Sequence, residues 1–230
     1  MEYKIIHGEA FPLVECKLEK GETIKAESDA MVSMSGTLDI RGSMDRNILR
    51  GLARRFLAGE SFFFQTITAS RGSGTVLLGH AAPGGIVDVE LDGSYSLRVQ
   101  KDGFLAGTSE IEVDTTIQNL AQGIFSKEGF FVLNIRGRGT VFLSSFGAIH
   151  AINLDPGEEI IIDNGHLVAW PDYMHYTIEK ASSNGWISSF VSGEGIVCRF
   201  RGPGVVLIQT RKPEAFSEWL MYMLPPSKQK

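Results

Sequence analysis

The chain has 230 residues, of which 43% are hydrophobic and 21% are charged, and its formal net charge is −5. This composition is ordinary for a globular protein and argues against intrinsic disorder, while the acidic balance argues against a DNA-binding protein. No apolar run approaches the roughly 20 residues that cross a bilayer, and the first residues do not resemble a secretory signal. Two cysteines, Cys16 and Cys198, are too few for a disulfide framework. We therefore expect a cytoplasmic protein with reduced thiols and no transmembrane segment.

Short apolar runs bounded by glycine predict a mainly β fold with a few short helices. In chain order, the first helical signal lies at residues 47–57, where apolar residues recur every three to four positions. Residues 94–100 alternate polar and apolar side chains, as a strand with one buried face requires. The apolar runs at 130–133 and 205–208 are short enough for strands covered on both faces. A last helix is predicted at 213–224, where proline occupies the first turn.

An internal repeat organises these elements. Three Arg-Gly-x-Gly tetrads begin at Arg71, Arg136 and Arg201, so that each is 65 residues from the next, and each lies between two apolar runs. The spacing predicts a single domain, 1–230, made of three repeats at about 13–80, 81–145 and 146–210, followed by the C-terminal helix. The first repeat is the longest, and its additional residues fall in the helical stretch at 47–57.

The tetrads are interpreted as turns. Glycine between two apolar runs is typical of a tight hairpin whose flanking strands pair antiparallel, with the glycines at positive φ. The predicted turn glycines are Gly72, Gly74, Gly137, Gly139, Gly202 and Gly204. A unit of about 65 residues can barely bury its own core. We therefore expect the three units to pack their apolar faces into one common interior with pseudo-threefold symmetry.

Three sequence motifs resemble those of a known family. They are the run at 137–149 (GRGTVFLSSFGAI), the run at 82–86 (APGGI) and the run at 165–170 (GHLVAW). These motifs resemble the altered-inheritance-of-mitochondria family, whose bacterial and archaeal members were long described as a domain of unknown function. The resemblance implies three repeats in a body like a short double-stranded β-helix, related to the tryptophan-RNA-binding attenuator protein, and it implies no catalytic residues. The mitochondrial member is linked to inner-membrane organisation, but this sequence shows no transit peptide, so the role does not transfer directly.

The residue types that carry chemistry show no catalytic pattern. The five histidines lack the His-x-His spacing of metal-binding β-helix proteins, so we expect no metal site and no cofactor. The two cysteines lack a nucleophile signature. Asp163, Asp172 and Glu179 are candidates for acid–base work, but spacing alone does not pair them. The pattern favours a non-catalytic protein over an enzyme.

The tetrad arginines support one sharper hypothesis. If pseudo-threefold symmetry relates them, Arg71, Arg136 and Arg201 occupy equivalent places and converge on one anion. The simpler interpretation, which we favour, is that each arginine caps its own turn or pairs with a nearby carboxylate.

Two segments have the composition of a surface that contacts a partner. Arg41, Arg46, Arg50, Arg54 and Arg55 form a basic cluster with little aromatic interleaving, which is more typical of a solvated helix face than of an RNA-binding surface. The C-terminal helix is apolar on more than one side, so it is expected first to pack on the core, next to contact another subunit, and last to lie on a membrane surface.

Sequence alone therefore favours a non-catalytic scaffold or binding protein that forms a homo-oligomer through exposed strand edges or the C-terminal helix. Two alternatives stay open. One is a small-molecule or anion binder, or an enzyme, with its site where the repeats meet. The other is RNA binding by structural kinship, which a filter-binding assay without salt-dependent retention would dismiss.

Overall fold

The computed structural model describes residues 1–8, 10–43, 64–117, 131–180 and 196–224. The architecture is mainly β, as the sequence predicts, with antiparallel sheets and, within these described residues, one α-helix. The helix predicted at 47–57 lies outside the described residues, and so does most of the basic cluster, Arg46, Arg50, Arg54 and Arg55.

After an N-terminal strand, β1 (Glu2–Ile6), the strands follow in three groups of six. The first group contains β2 (Leu13–Leu18), β3 (Thr23–Glu27), β4 (Met31–Met34), β5 (Asp39–Ser43), β6 (Phe64–Thr68) and β7 (Gly74–Leu78). The second group contains β8 (Ile86–Asp92), β9 (Leu97–Gln100), β10 (Phe104–Thr108), β11 (Glu112–Ile117), β12 (Phe131–Arg136) and β13 (Arg138–Ser144). The third group contains β14 (Ile149–Leu154), β15 (Glu159–Asp163), β16 (Leu167–Pro171), β17 (His175–Lys180), β18 (Ile196–Arg201) and β19 (Gly204–Gln209). The helix α1 (Pro213–Met223) ends the described chain, and single turns of 3-10 helix occur at Lys101–Gly103 and Asn164–His166.

The same pairing order recurs in all three groups. The first and third strands of each group pair with the sixth, and the second and fourth strands pair with the fifth. Each group is therefore built from two small antiparallel sheets of three strands. Period-two alternation provides the inward faces: along β2, the buried residues are Val14, Cys16 and Leu18.

Neighbouring groups join through one type of strand pair. The second strand of one group pairs antiparallel with the third strand of the next, which gives β3–β10 and β9–β16. These pairs fuse the small sheets into two six-stranded sheets, with the orders β5-β6-β3-β10-β13-β8 and β11-β12-β9-β16-β19-β14. A four-stranded sheet, β1-β2-β7-β4, and a three-stranded sheet, β15-β18-β17, remain at the two ends of the array.

The buried apolar residues form three clusters, so the expected common interior is wrong. Each cluster lies mainly within one group. Side chains from the next group also pack into a cluster: Leu105 of β10 belongs to the first cluster, and Val168 of β16 belongs to the second. Trp170, Phe200 and Cys198 belong to the third cluster, which contains no residue of the first group. Each pair of small sheets encloses its own interior, and neighbouring groups join through strand edges and through side chains that enter the preceding cluster.

The hairpin interpretation of the tetrads is also wrong. Each tetrad connects the fifth strand of a group to the sixth, and these two strands belong to different sheets. Both edges of the fifth strand and both edges of the sixth are already occupied, so the two strands cannot pair with each other. The tetrads are corners at which the chain passes from one sheet to the other.

Close approach or positive φ explains five of the six tetrad glycines, all except Gly72. Gly137, Gly139 and Gly204 have positive φ, as expected. Gly72, Gly74 and Gly202 do not. A Cβ on Gly202 would lie 2.3 Å from the backbone oxygen of Asp155, and one on Gly74 would lie 2.7 Å from the Thr37 hydroxyl oxygen. The backbone at Gly202 excludes any side chain, and a side chain at Gly74 would force the neighbouring side chains to shift.

The link between groups provides a stability test. Leu105 is fully buried in a cluster that otherwise belongs mainly to the preceding group. Leu105→Ala should lower the free energy of unfolding by about 2–5 kcal/mol, because it leaves a cavity at the junction. Val205→Ala, at a partly exposed position on β19, should change the same quantity by no more than about 0.5 kcal/mol. Urea denaturation measures both, and equal effects would contradict the placement of Leu105.

Candidate functional site: two unpaired sheet edges

Two strands have no neighbouring group to pair with. At each junction the second strand of one group pairs with the third strand of the next, but β4 is the third strand of the first group, and β15 is the second strand of the last group. Within the described part of the chain, neither strand has a neighbour on its outer edge. The two end sheets, of four and three strands, thus carry the two kinds of edge that pair with each other at the junctions between groups.

The exposure of one residue marks the β4 edge. The third strand of every group contains an irregularity where one additional residue bulges, and the residues there are Val32, Leu105 and Val168. Leu105 is 0% exposed and Val168 is 1% exposed, because each packs into the core of the preceding group. Val32 is 57% exposed. The side chain that joins groups elsewhere is therefore uncovered at the end of the array.

The β15 edge is apolar as well. Its sequence, Glu-Ile-Ile-Ile-Asp, places three isoleucines between two terminal carboxylates, and Ile161 is 41% exposed. Free edges in monomeric proteins are normally protected by charged residues. The edge strand β8 is protected in this way by Asp88 and Glu90, whereas β4, with the sequence Met-Val-Ser-Met, carries no charge.

The two existing junctions define how these edges would pair. In the ladders, Ala169 of β16 lies opposite Val99 of β9 and opposite Leu207 of β19. Ser33 has the same place on β4, because it lies opposite Leu77, which is two 65-residue steps before Leu207.

On the other strand, Val99 lies opposite Leu133 of β12, and Ile162 lies opposite Cys198 of β18, which is one 65-residue step after Leu133. The equivalent register places Ile162 opposite Ser33 and Ile161 opposite Met34.

Two of the three tetrad arginines bind separate partners. The Arg71 guanidinium donates to Asp39 Oδ1 at 2.6 Å and to the Gly36 carbonyl oxygen at 2.7 Å. Arg136 is paired with carboxylates of the neighbouring strand β11, which raises the pKa of its guanidinium. Arg201 is exposed at the end of β18, opposite Glu159 and His175 in the ladders. For Arg71 and Arg136, the contacts are those of the simpler interpretation, in which each arginine binds carboxylates near its own corner.

The acid–base candidates are likewise engaged in structural contacts. Asp163 accepts a hydrogen bond from Lys212 Nζ at 2.8 Å, and Asp172 accepts one from the backbone N–H of Ser96 at 3.1 Å. Glu179 accepts a 2.9 Å hydrogen bond from Arg199 Nε, which lowers the pKa of its carboxyl. These contacts hold the carboxylates in roles that stabilise the fold.

Histidine and cysteine side chains also serve the fold. His166 Nδ1 lies 2.7 Å from the backbone oxygen of Gln209, and His80 lies 3.7 Å from Glu27. Among the described residues, no three His, Cys, Asp or Glu side chains come together as a metal site. Cys16 and Cys198 are both buried, and burial raises the pKa of each thiol to about 12.

One cavity of about 190 Å³ lies where the first and second groups meet. Its walls are mostly apolar and include Phe11, Pro12, Leu13, Ala81 and Pro83. This volume is smaller than the 300–1,000 Å³ that small-molecule sites usually occupy, although it is large enough for an aromatic side chain.

The C-terminal helix does not pack on the core. None of the residues of α1 is buried, so the first expectation for this helix is wrong. Its Phe216 ring contacts the Phe146 ring at a centroid distance of 5.1 Å, and Trp219 stacks on Phe216 at 5.8 Å. No helix among the described residues has the length and apolar character needed to span a membrane.

Comparison with known proteins agrees with the motifs. Residues 3–211 match the family model described as mitochondrial biogenesis AIM24. The chain belongs to this family. An uncharacterized protein of Streptococcus pyogenes serotype M6 is 34% identical, over 99% of this chain and 92% of that protein. A crystal structure of a Streptococcus pyogenes protein superposes with a TM-score of 0.78 at 32% identity, covering 97% of this chain and 99% of that one. The crystal structure shares the fold of this chain, and neither relative's name assigns a reaction to it, while kinship to the attenuator protein stays a prediction.

The buried thiols provide a pH test. An unfolded thiol titrates near 9, whereas each folded thiol titrates at about 12. The stability that they contribute is therefore fully present below pH 9 and is lost as the pH rises toward 12, because only the unfolded state releases these protons. Urea unfolding at pH 8 and pH 10 should show this loss.

The Cys16→Ala, Cys198→Ala double variant isolates the effect, since its stability should fall less over the same interval. If the free energy of unfolding of the double variant falls with pH as steeply as that of the unmodified protein, the thiols are not responsible.

Proposed function

We propose that this AIM24-family protein is a non-catalytic scaffold that assembles head to tail, with the β15 edge of one copy pairing with the β4 edge of the next. The three groups of strands are repeats of one unit in this proposal, and a joint between copies reproduces the joints between groups. The observation that carries the proposal is the 57% exposure of Val32 where Leu105 and Val168 are buried.

Completion of the third core supports the same arrangement. The first cluster contains Leu105, Ala106 and Phe142 from the following group, and the second contains Val168 and Ala169. The third cluster receives no residue from a following group. Val32 and its neighbours, from a second copy, would supply the missing apolar contacts and remove exposed hydrophobic surface from water.

The contact is heterologous, because one surface of a copy binds a different surface of the next. Such contacts produce a closed ring when the rotation between copies returns to the start and an open filament when it does not. A chain with two complementary ends thus has a simple physical role as a self-assembling framework. The engaged carboxylates and buried thiols fit this role better than they fit catalysis.

Substitutions at either edge test the proposal. Val32→Lys and Ile161→Lys each place a charge in a joint that would be buried, so each should convert the assembly to monomers. Ile40→Lys is the matched control, since Ile40 is an exposed isoleucine on the edge strand β5, which has no place in the joint. Light scattering coupled to size-exclusion chromatography gives the mass of each species.

Mixing the two edge variants provides the decisive result. The Val32→Lys copy keeps an intact β15 edge and the Ile161→Lys copy keeps an intact β4 edge, so the mixture should form a 1:1 dimer with one joint. A monomeric unmodified protein would refute the proposal. An assembly that survives both substitutions, or a mixture that stays monomeric, would refute it equally.

A further inference from the structure

The connections between groups form a ladder that stops at the C-terminal helix. Backbone segments at 83–85, 145–148 and 209–211 run side by side: the Gly147 N–H donates to the Pro83 carbonyl oxygen at 2.9 Å, and the Thr210 N–H donates to the Ala148 carbonyl oxygen at 3.0 Å. The first two segments lead from the sixth strand of one group to the first strand of the next. The third segment follows β19 and leads into α1 instead.

This ladder locates α1 relative to a neighbouring copy. In a head-to-tail joint, the segment before β2 of the next copy takes the place that residues before β8 and β14 have in the earlier connections. In the earlier connections the chain runs on covalently into the next group. At the joint between copies, the start of α1 and residues 10–12 of the next copy lie at the two ends of that connection without a covalent bond. The helix therefore leaves one copy where the N-terminal segment of the next copy enters.

The N-terminal segment presents an apolar surface at that point. Phe11 is 70% exposed and has a φ of +53°, which a bulky side chain rarely adopts. With Pro12, Leu13, Ala81 and Pro83, it lines the cavity of about 190 Å³. If another apolar group covers the Phe11 ring and the cavity beside it, apolar surface is removed from water and the free energy of the system falls.

The helix presents a matching apolar face. Phe216, Trp219, Leu220 and Met223 recur at helical spacing on one side of α1. Phe216 is anchored against Phe146 of its own copy, whereas Trp219 is 54% exposed and Met223 is 63% exposed. The anchored end fixes the helix to its own copy, and the free part of the face remains available to a neighbour.

We infer that Trp219, Leu220 and Met223 of one copy bind the cavity lined by Phe11, Pro12 and Leu13 of the next copy, as a second contact of the head-to-tail joint. The inference rests on the proposed function, because it needs the edge pairing to bring the two surfaces together. Its occupant is the helix of an identical chain. The helix then acts as a clasp across each joint.

The dimer of the two edge variants tests this clasp, because it contains a single joint and a substitution can be placed on either side of that joint. In that dimer, the Val32→Lys copy contributes α1 and the Ile161→Lys copy contributes the cavity. Trp219→Ala should weaken the dimer by about tenfold or more when placed on the Val32→Lys copy. The same substitution on the Ile161→Lys copy should leave the dissociation constant unchanged, because that helix faces away from the joint.

Phe11→Ala should show the opposite sidedness, with weakening only on the Ile161→Lys copy. Met221→Ala is the control on the other face of the helix, where the side chain is 71% exposed, and it should have no effect on either copy. Sedimentation equilibrium gives the dissociation constants, and circular dichroism verifies that each variant is folded.

The outcomes separate the two proposals. The clasp is overturned, and the edge pairing left intact, by either of two results. The dissociation constant of the dimer is unchanged by Trp219→Ala on the Val32→Lys copy, or it rises equally when the substitution is on either copy. Absence of any dimer between the edge variants overturns the edge pairing itself.

Discussion

The fold depends on one constraint of strand pairing. Within each group of six strands, the fifth and sixth strands have neighbours on both edges, so the edges that remain belong to the other four strands, and the groups are joined through those of the second and third. Backbone N–H and C=O groups on such edges need partners, and the chain satisfies them by joining the second strand of one group to the third strand of the next. Two such joints complete two six-stranded sheets. Among the described residues, one edge of each kind is left without a strand partner, on β4 and on β15.

The bulged residue makes each joint more than a backbone ladder. Leu105 and Val168 extend from their own group into the core of the preceding one, so hydrophobic burial and strand pairing occur at the same place. A joint of this kind is specific because it needs both a free second strand and an incomplete core. In the proposed assembly, β15 is the free second strand, and Val32 on β4 of the next copy would add to the third cluster.

Sequence patterns predicted the elements better than their partners. The apolar runs, the 65-residue spacing and the proline at the start of α1 are local signals, and the mainly β class and the terminal helix follow from them. The hairpin interpretation failed because glycine marks a change of direction without specifying which strand lies alongside. The pairing of β12 with β9 and β11, and of β13 with β8 and β10, is set by long-range contacts that no local pattern contains. The sequence places an apolar residue at each of positions 32, 105 and 168. That residue is buried only where a preceding group of strands provides the core that covers it.

If the two ends of the array pair as one sheet, a structure of the assembled protein at side-chain resolution will show that pairing. Between adjacent copies, we expect an antiparallel ladder with Ile162 opposite Ser33 and Ile161 opposite Met34, and with the Val32 side chain buried in the third cluster of the neighbouring copy. An assembly in which β4 and β15 both remain open to solvent, with copies joined through other surfaces, would contradict it.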